Sequence, residues 1–205
     1  RWHSVTGVQT CALPIFRVTG ANAGTIRNAT GATIEAGAAG IAVTGQNTAN
    51  ILNTAAASIT AGTDGIVVGS TATGSQIVNA EASITATDGS GVRVTGANAG
   101  TISNVSGASI SAGAAGIAVE GINSGAITNS GSAITGGVHG ILLAGGNAAG
   151  GDILNAGGST AITATTGDAI HVTGANAATI QNVGGASLTA VAGDGIAVTG
   201  ANAGT

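Results

Sequence analysis

Six residues, Gly-Ile-Ala-Val-Thr-Gly, stand at Gly40 to Gly45 and return unchanged at Gly195 to Gly200, with altered copies about every 25 residues between them. A repeat of that period specifies one structural unit copied many times, not a single irregular core. Each period holds three short apolar motifs in constant order. The first, typified by Thr25-Ile26-Arg27-Asn28, has its Ile at Ile26, Ile51, Ile77, Ile102, Ile127, Ile153 and Ile180. Two residues later comes Asn28, Asn53, Asn79, Asn104, Asn129, Asn155 or Asn182. The second motif centres on Ile34, Ile59, Ile84, Ile110, Ile134, Ile162 and Leu188. The third centres on Ile41, Ile66, Val92, Ile117, Ile141, Ile170 and Ile196, with a worn copy at Phe16.

Each motif alternates with period two, as a strand buried on one side must. With the anchor Ile taken as inward, Arg17, Arg27, Glu35, Arg93, Glu120, His171 and Gln181 all fall on outward positions. The intervals between motifs are too short for crossover helices and are rich in Gly, Asn, Asp and Ser, so the chain must wind. The expected fold is all-β: a parallel β-helix (β-solenoid) with three short strands per coil and about seven coils of roughly 25 residues. The right-handed form is favoured because crossovers between parallel strands take that hand, a left-handed solenoid being the alternative.

The composition suits a narrow interior. With 38 Gly, no Met, no Tyr and only 6% charged residues, Ile, Val and Ala must do the burying. Disorder goes with low hydrophobicity and high net charge, whereas this chain has mean hydropathy +0.47 and net charge −4. No clustered Lys or Arg exists to hold nucleic acid, and no apolar run has the length of a membrane helix. Asn at the end of the first strand is expected at a corner, where it tolerates unusual backbone angles and lets amides stack along the axis. Glycine opening the third strand (Gly40, Gly65, Gly91, Gly116, Gly140, Gly195) is expected to adopt positive φ, and Ala169, which breaks that rule, to turn differently.

Residues 1–15 show no repeat and hold the only Trp, Cys and Pro. The stretch from Val5 to Ile15 resembles one frame translation of a common short-read sequencing adapter. Residues 1–15 are therefore read as a non-native, adapter-derived leader, and Trp2, His3, Cys11 and Pro14 carry no functional weight. Residues 16–205 form a single β-helix repeat domain, expected to be an internal fragment uncapped at both ends. It has no cysteine, which suits export.

The motifs Gly-Thr-Ile-Ser-Asn (Gly100 to Asn104), Gly-Ala-Ser-Ile-Ser-Ala (Gly107 to Ala112) and Asp-Gly-Ile-Ala-Val (Asp194 to Val198) resemble the repeats of Gram-negative surface proteins. Autotransporter passenger domains and filamentous-haemagglutinin-like adhesins carry such repeats. The resemblance covers residues 16–205. It implies a secreted, cell-surface rod displayed beyond the outer membrane, often adhesive, with an unknown host-surface or matrix ligand. Open strand edges at the uncapped ends separately predict fraying or end-to-end self-association.

Other roles rest on particular residues. Enzymes built on β-helices need converging acids and bases, and here Glu35, Asp64, Glu81, Asp88, Glu120, Asp152, Asp168 and Asp194 are scattered. No catalytic residue and no cofactor is assigned. His139, Asp168 and Asp194 occupy one turn position on successive coils and form a candidate cation cluster, with solvated turn residues as the plainer account and no metal assigned. The outward Ser and Thr of the second motif, such as Ser58/Thr60 and Ser83/Thr85, resemble the hydroxyl ranks of ice-binding solenoids, although Thr is common in strands. The reading adopted is a structural and adhesive surface rod. A non-adhesive spacer is the main alternative, followed by a carbohydrate-active β-helix enzyme fragment or an ice-binding solenoid.

Overall fold

A computed structural model describes residues 15–205 and, before them, the backbone of His3–Val5 and Val8–Cys11. One period shows how the chain winds. Gln76–Ala80 runs in the first sheet, Ser83–Ala86 in the second and Val92–Val94 in the third, after which Thr101–Val105 re-enters the first one coil further on. Repetition gives three sheets of eight parallel strands, each strand paired only with its copies in neighbouring coils. The seven coils legible in the repeat span roughly 34 Å at a strand spacing of about 4.8 Å. Among the described residues no helix is long and apolar enough to cross a membrane.

Register follows the repeat, anchor on anchor. Ile51, Ile77 and Ile102 stack in the first sheet, Ile59, Ile84 and Ile110 in the second, and Ile66, Val92 and Ile117 in the third. These side chains meet in one continuous apolar column, all of them at most 1% exposed. Each buried Ile contributes about 1.5–3 kcal/mol, which a lone coil could not accumulate in sufficient number to offset its ordering. Stability therefore passes through neighbours.

The asparagines form the expected amide stack but not by the expected backbone. Asn28, Asn53, Asn79, Asn104, Asn129 and Asn155 point inward, nearly inaccessible, and each donates Nδ2–H to Oδ1 of the next at 2.7–2.9 Å. The same amide reaches the next coil's second strand, as in Asn28 Nδ2 to the Ser58 carbonyl at 2.9 Å, and so ties two sheets across coils. None of these asparagines has positive φ. That strain falls on residues just after them: Thr30/Gly31, Ala55/Ala56 and Ser106/Gly107 both take φ near +56 to +78°, as in a type I′ turn. A strand-bound Asn keeps its amide aimed along the axis only with an extended backbone, so the bend is displaced onto its successors.

The glycines opening the third strand are also not in the left-handed region. They are required by contact. A Cβ at Gly91 would lie 2.2 Å from Cγ2 of Ile110 and 2.7 Å from the Gly116 carbonyl, and Gly40, Gly65, Gly116 and Gly140 are pressed alike by the Ile one coil on. Gly195, in the last coil, meets only Leu188 Cβ at 4.0 Å. Ala169 does not turn differently: its N–H donates to the Asp194 carbonyl and its carbonyl accepts from Ile141, the ladder its glycine counterparts make. By register the residue pressing on it is Leu188, which has no γ2 methyl. The change from Gly to Ala thus accompanies a change from Ile to Leu.

The reading of residues 1–15 as a leader bears mostly on residues outside those described. His3–Val5 and Val8–Cys11 extend the first and second sheets, with Val5 in register with Asn28. The asparagine stack stops there, because Asn28 Oδ1 is buried without a donor.

Candidate functional site

The three outer faces differ. From the coil after Glu35 the second sheet repeats one chemistry: Thr60, Thr85, Ser111, Thr135, Thr163 and Thr189 lie in unbroken register. On the third, the corresponding row runs Arg17, Ala42, Val67, Arg93, Ala118, Leu142, His171 and Ala197, mixing charged, small and branched side chains. Leu52 and Val78 are neighbours on the first sheet's outer side, both half-buried. The first sheet's outer row, Arg27, Leu52, Val78, Ser103, Thr128, Leu154 and Gln181, is as varied as the third's, but it is the third sheet that carries both a depression beside a charge pair and a cluster of imidazole and carboxylate groups.

Two features occupy that face. Small Ala118 lies in register between long Arg93 and Leu142, and the gap is a depression of about 380 Å³ floored by Ala115 and Ala118. Val138, His139 and Leu142 line one side of it, Asp64, Arg93 and Glu120 the other. The Arg93 guanidinium spans two coils: Nε donates to Glu120 Oε1 at 2.8 Å, Nη2 approaches the same oxygen at 2.6 Å, and Nη1 reaches Asp64 Oδ2 at 3.4 Å. The hydrogen bond to Glu120 leads the influences that raise the Arg93 pKa, with burial opposing. Asp64 is fixed in turn by the Ser90 N–H on Oδ1 at 2.8 Å. An apolar floor beside a pinned charge pair can seat a small ligand with one apolar and one polar side.

Beyond it, the step between adjacent coils brings His139, Asp168 and His171 together, with potential ligand atoms within 4.8 Å of one another. His171 Nδ1 is hydrogen-bonded to Asp168 Oδ2. His139 Nδ1 accepts the Asp168 backbone N–H at 3.1 Å and stands 4.0 Å from Oδ2. The ring centroids are 4.8 Å apart. Asp194 enters through its backbone: its N–H donates to Asp168 Oδ1 at 2.6 Å. The His171 hydrogen bond, then that N–H, hold the Asp168 carboxyl below its usual pKa range, while burial and the neighbouring His171 lower that of His139.

Of the residues singled out by sequence, His139 and Asp168 do meet, whereas the Asp194 carboxylate is not in the group and His171 is. The sequence signal for His171 was its outward position one residue after the Ile170 anchor, three residues from Asp168. Asp64 and Glu120 converge on Arg93, and Asp152 instead accepts the Thr179 N–H on Oδ1 at 2.9 Å. A second asparagine stack went unread. Asn98, Asn123, Asn147, Asn176 and Asn202 link amide to amide at 2.7–2.8 Å in the turn after the third strand, as do Asn22 and Asn47. Its mark is the Asn of Gly96-Ala97-Asn98 and its copies, interrupted by Thr71.

Comparison of the chain with protein-family models, curated proteins and solved structures finds no match.

Proposed function

We propose that this chain is a shaft segment of an exported, cell-surface β-helical protein, and that the third sheet supplies its adhesive contact. The carrying observation is the depression on the third sheet, where the outer row changes from Val67 to His171 and an apolar floor adjoins the Arg93 charge pair, while the second sheet's outer row is hydroxyl throughout from Thr60 to Thr189. A rod needs only the repeat. A selective contact needs the variety, and the depression beside Arg93 is where apolar and charged groups adjoin. Support for export comes from the resemblance of the repeat motifs to autotransporter passengers and haemagglutinin-like adhesins, and from the absence of cysteine after Cys11. The partner class is a host-surface or matrix ligand, and no catalytic role is assigned.

Antiserum against the rod, applied to intact cells of the source bacterium, tests export. Surface labelling abolished by external protease is expected, and antigen confined to the cytoplasm sinks the reading. Adhesion is tested separately by retention of chain-coated beads on matrix proteins and glycans. Retention should fall when Arg93 and Leu142 are both replaced by Ser, and beads retained nowhere would leave the spacer reading standing.

A further inference from the structure

The group at His139, Asp168 and His171 has the composition and surroundings of a coordination site. Its donors are two imidazole nitrogens and a carboxylate oxygen, a set suited to zinc, copper or nickel and poorly matched to calcium or magnesium, which take oxygen. The potential ligand atoms lie within 4.8 Å of one another. A tetrahedral ion with bonds of about 2.0–2.1 Å holds its ligand atoms roughly 3.3–3.4 Å apart. Side-chain rotations moving these atoms by about 1 Å would therefore close the site.

The carboxylate is oriented from behind. The Asp194 N–H takes Asp168 Oδ1 at 2.6 Å, leaving Oδ2 toward both imidazoles, the kind of outer support that ligating carboxylates receive. Two glycines make the space. A Cβ at Gly167 would lie 2.6 Å from His139 Cε1, and one at Gly193 would lie 2.6 Å from Asp168 Oδ1. All three side chains are partly exposed, at 13–18%, so an ion can enter and keep an open position toward solvent.

We propose that His139, Asp168 and His171 bind a divalent transition-metal ion, zinc first, on the outer face of the third sheet. Across that site the ion would bridge two adjacent coils, His139 lying on one and Asp168 with His171 on the next. It does not depend on the adhesive reading, although His139 also lines the depression beside Arg93.

The test is calorimetric titration of the full chain with zinc chloride at neutral pH, repeated on His3→Ala and Cys11→Ser, since His3 is the third of three histidines and Cys11 the one thiol. One zinc per chain with a Kd on the order of micromolar is expected in all three proteins. His139→Ala, His171→Ala and Asp168→Asn should each weaken binding roughly tenfold or more. Cobalt(II) should enter with visible absorption bands that zinc abolishes, and a large excess of magnesium or calcium should not compete. The proposal is overturned by absence of stoichiometric uptake, by uptake that survives loss of both His139 and His171, or by uptake lost with His3 or Cys11 alone. Asp168→Asn preserves shape, so it decides the matter if a histidine variant fails to fold.

Discussion

The two sides of the third sheet are built on opposite rules. Inward, Ile41, Ile66, Val92, Ile117, Ile141 and Ile170 repeat one shape and are almost wholly buried. Outward, one residue along, Ala42, Val67, Arg93, Ala118, Leu142, His171 and Ala197 follow no single shape or chemistry. The same backbone carries both, so the difference comes from what each side faces. An inward residue touches its own copies above and below, and any departure is felt in two coils at once. Outward, Val67, Arg93, Leu142 and His171 are partly open to water, though small Ala118 between its longer neighbours is covered, and there a change is felt less and can add a contact.

That contrast can be broken most severely at the glycines. Gly91→Ala would push a methyl into Cγ2 of Ile110 and the Gly116 carbonyl, and should cost about 3 kcal/mol by denaturant unfolding. The natural pairing of Ala169 with Leu188 sharpens the claim: Ile110→Leu added to Gly91→Ala should restore part of the loss. Full additivity of the two changes would show that the γ2 methyl is not what excludes the side chain.

Next is the amide stack. In Asn104→Ala, Asn129 Oδ1 loses its donor and Asn79 Nδ2 loses one acceptor, both deep in the coil, and a loss of about 2 kcal/mol should appear as a lower unfolding midpoint.

A smaller gain is expected where the second stack is already interrupted. Thr71 donates its hydroxyl to Asn98 Oδ1 at 2.5 Å but has a single proton to give, and Asn47 turns its amide to the Ala49 carbonyl instead. Thr71→Asn should rejoin the stack and stabilise by about 0.5–1 kcal/mol, read by the same unfolding midpoint.

The outer face should be the most tolerant. Arg93→Ala removes an ion pair that is well exposed on both the Arg93 and Glu120 sides and should shift stability by about 0.5 kcal/mol or less. A loss as large as that at Asn104 would dissolve the distinction between the two sides.

Much of the architecture was legible before any coordinates. Anchor spacing placed all three ladders, because a stacked strand can pair only with its copy, and outward charges set the facing of each strand. Two local inferences failed for one reason. Asn and Gly were both expected to take an unusual backbone, as residues suited to a bend, and neither does: the amide stacking also expected of Asn is what holds Asn104, and at Gly91 the lack of a side chain decides the matter. Preference is a property of one residue, and both of these needs arise from the coil above.

The period of the sequence by itself determined the winding, the three sheets and the apolar column, since identical units in series can satisfy their backbone and bury their Ile only by stacking. Only the tertiary structure decided which side chains on neighbouring coils meet: that Arg93 joins Asp64 to Glu120, and that His171 stands beside Asp168 while the Asp194 carboxylate does not. Those meetings depend on the rotamer each outward side chain takes and on what stands one coil above or below it, and the period of the repeat fixes neither.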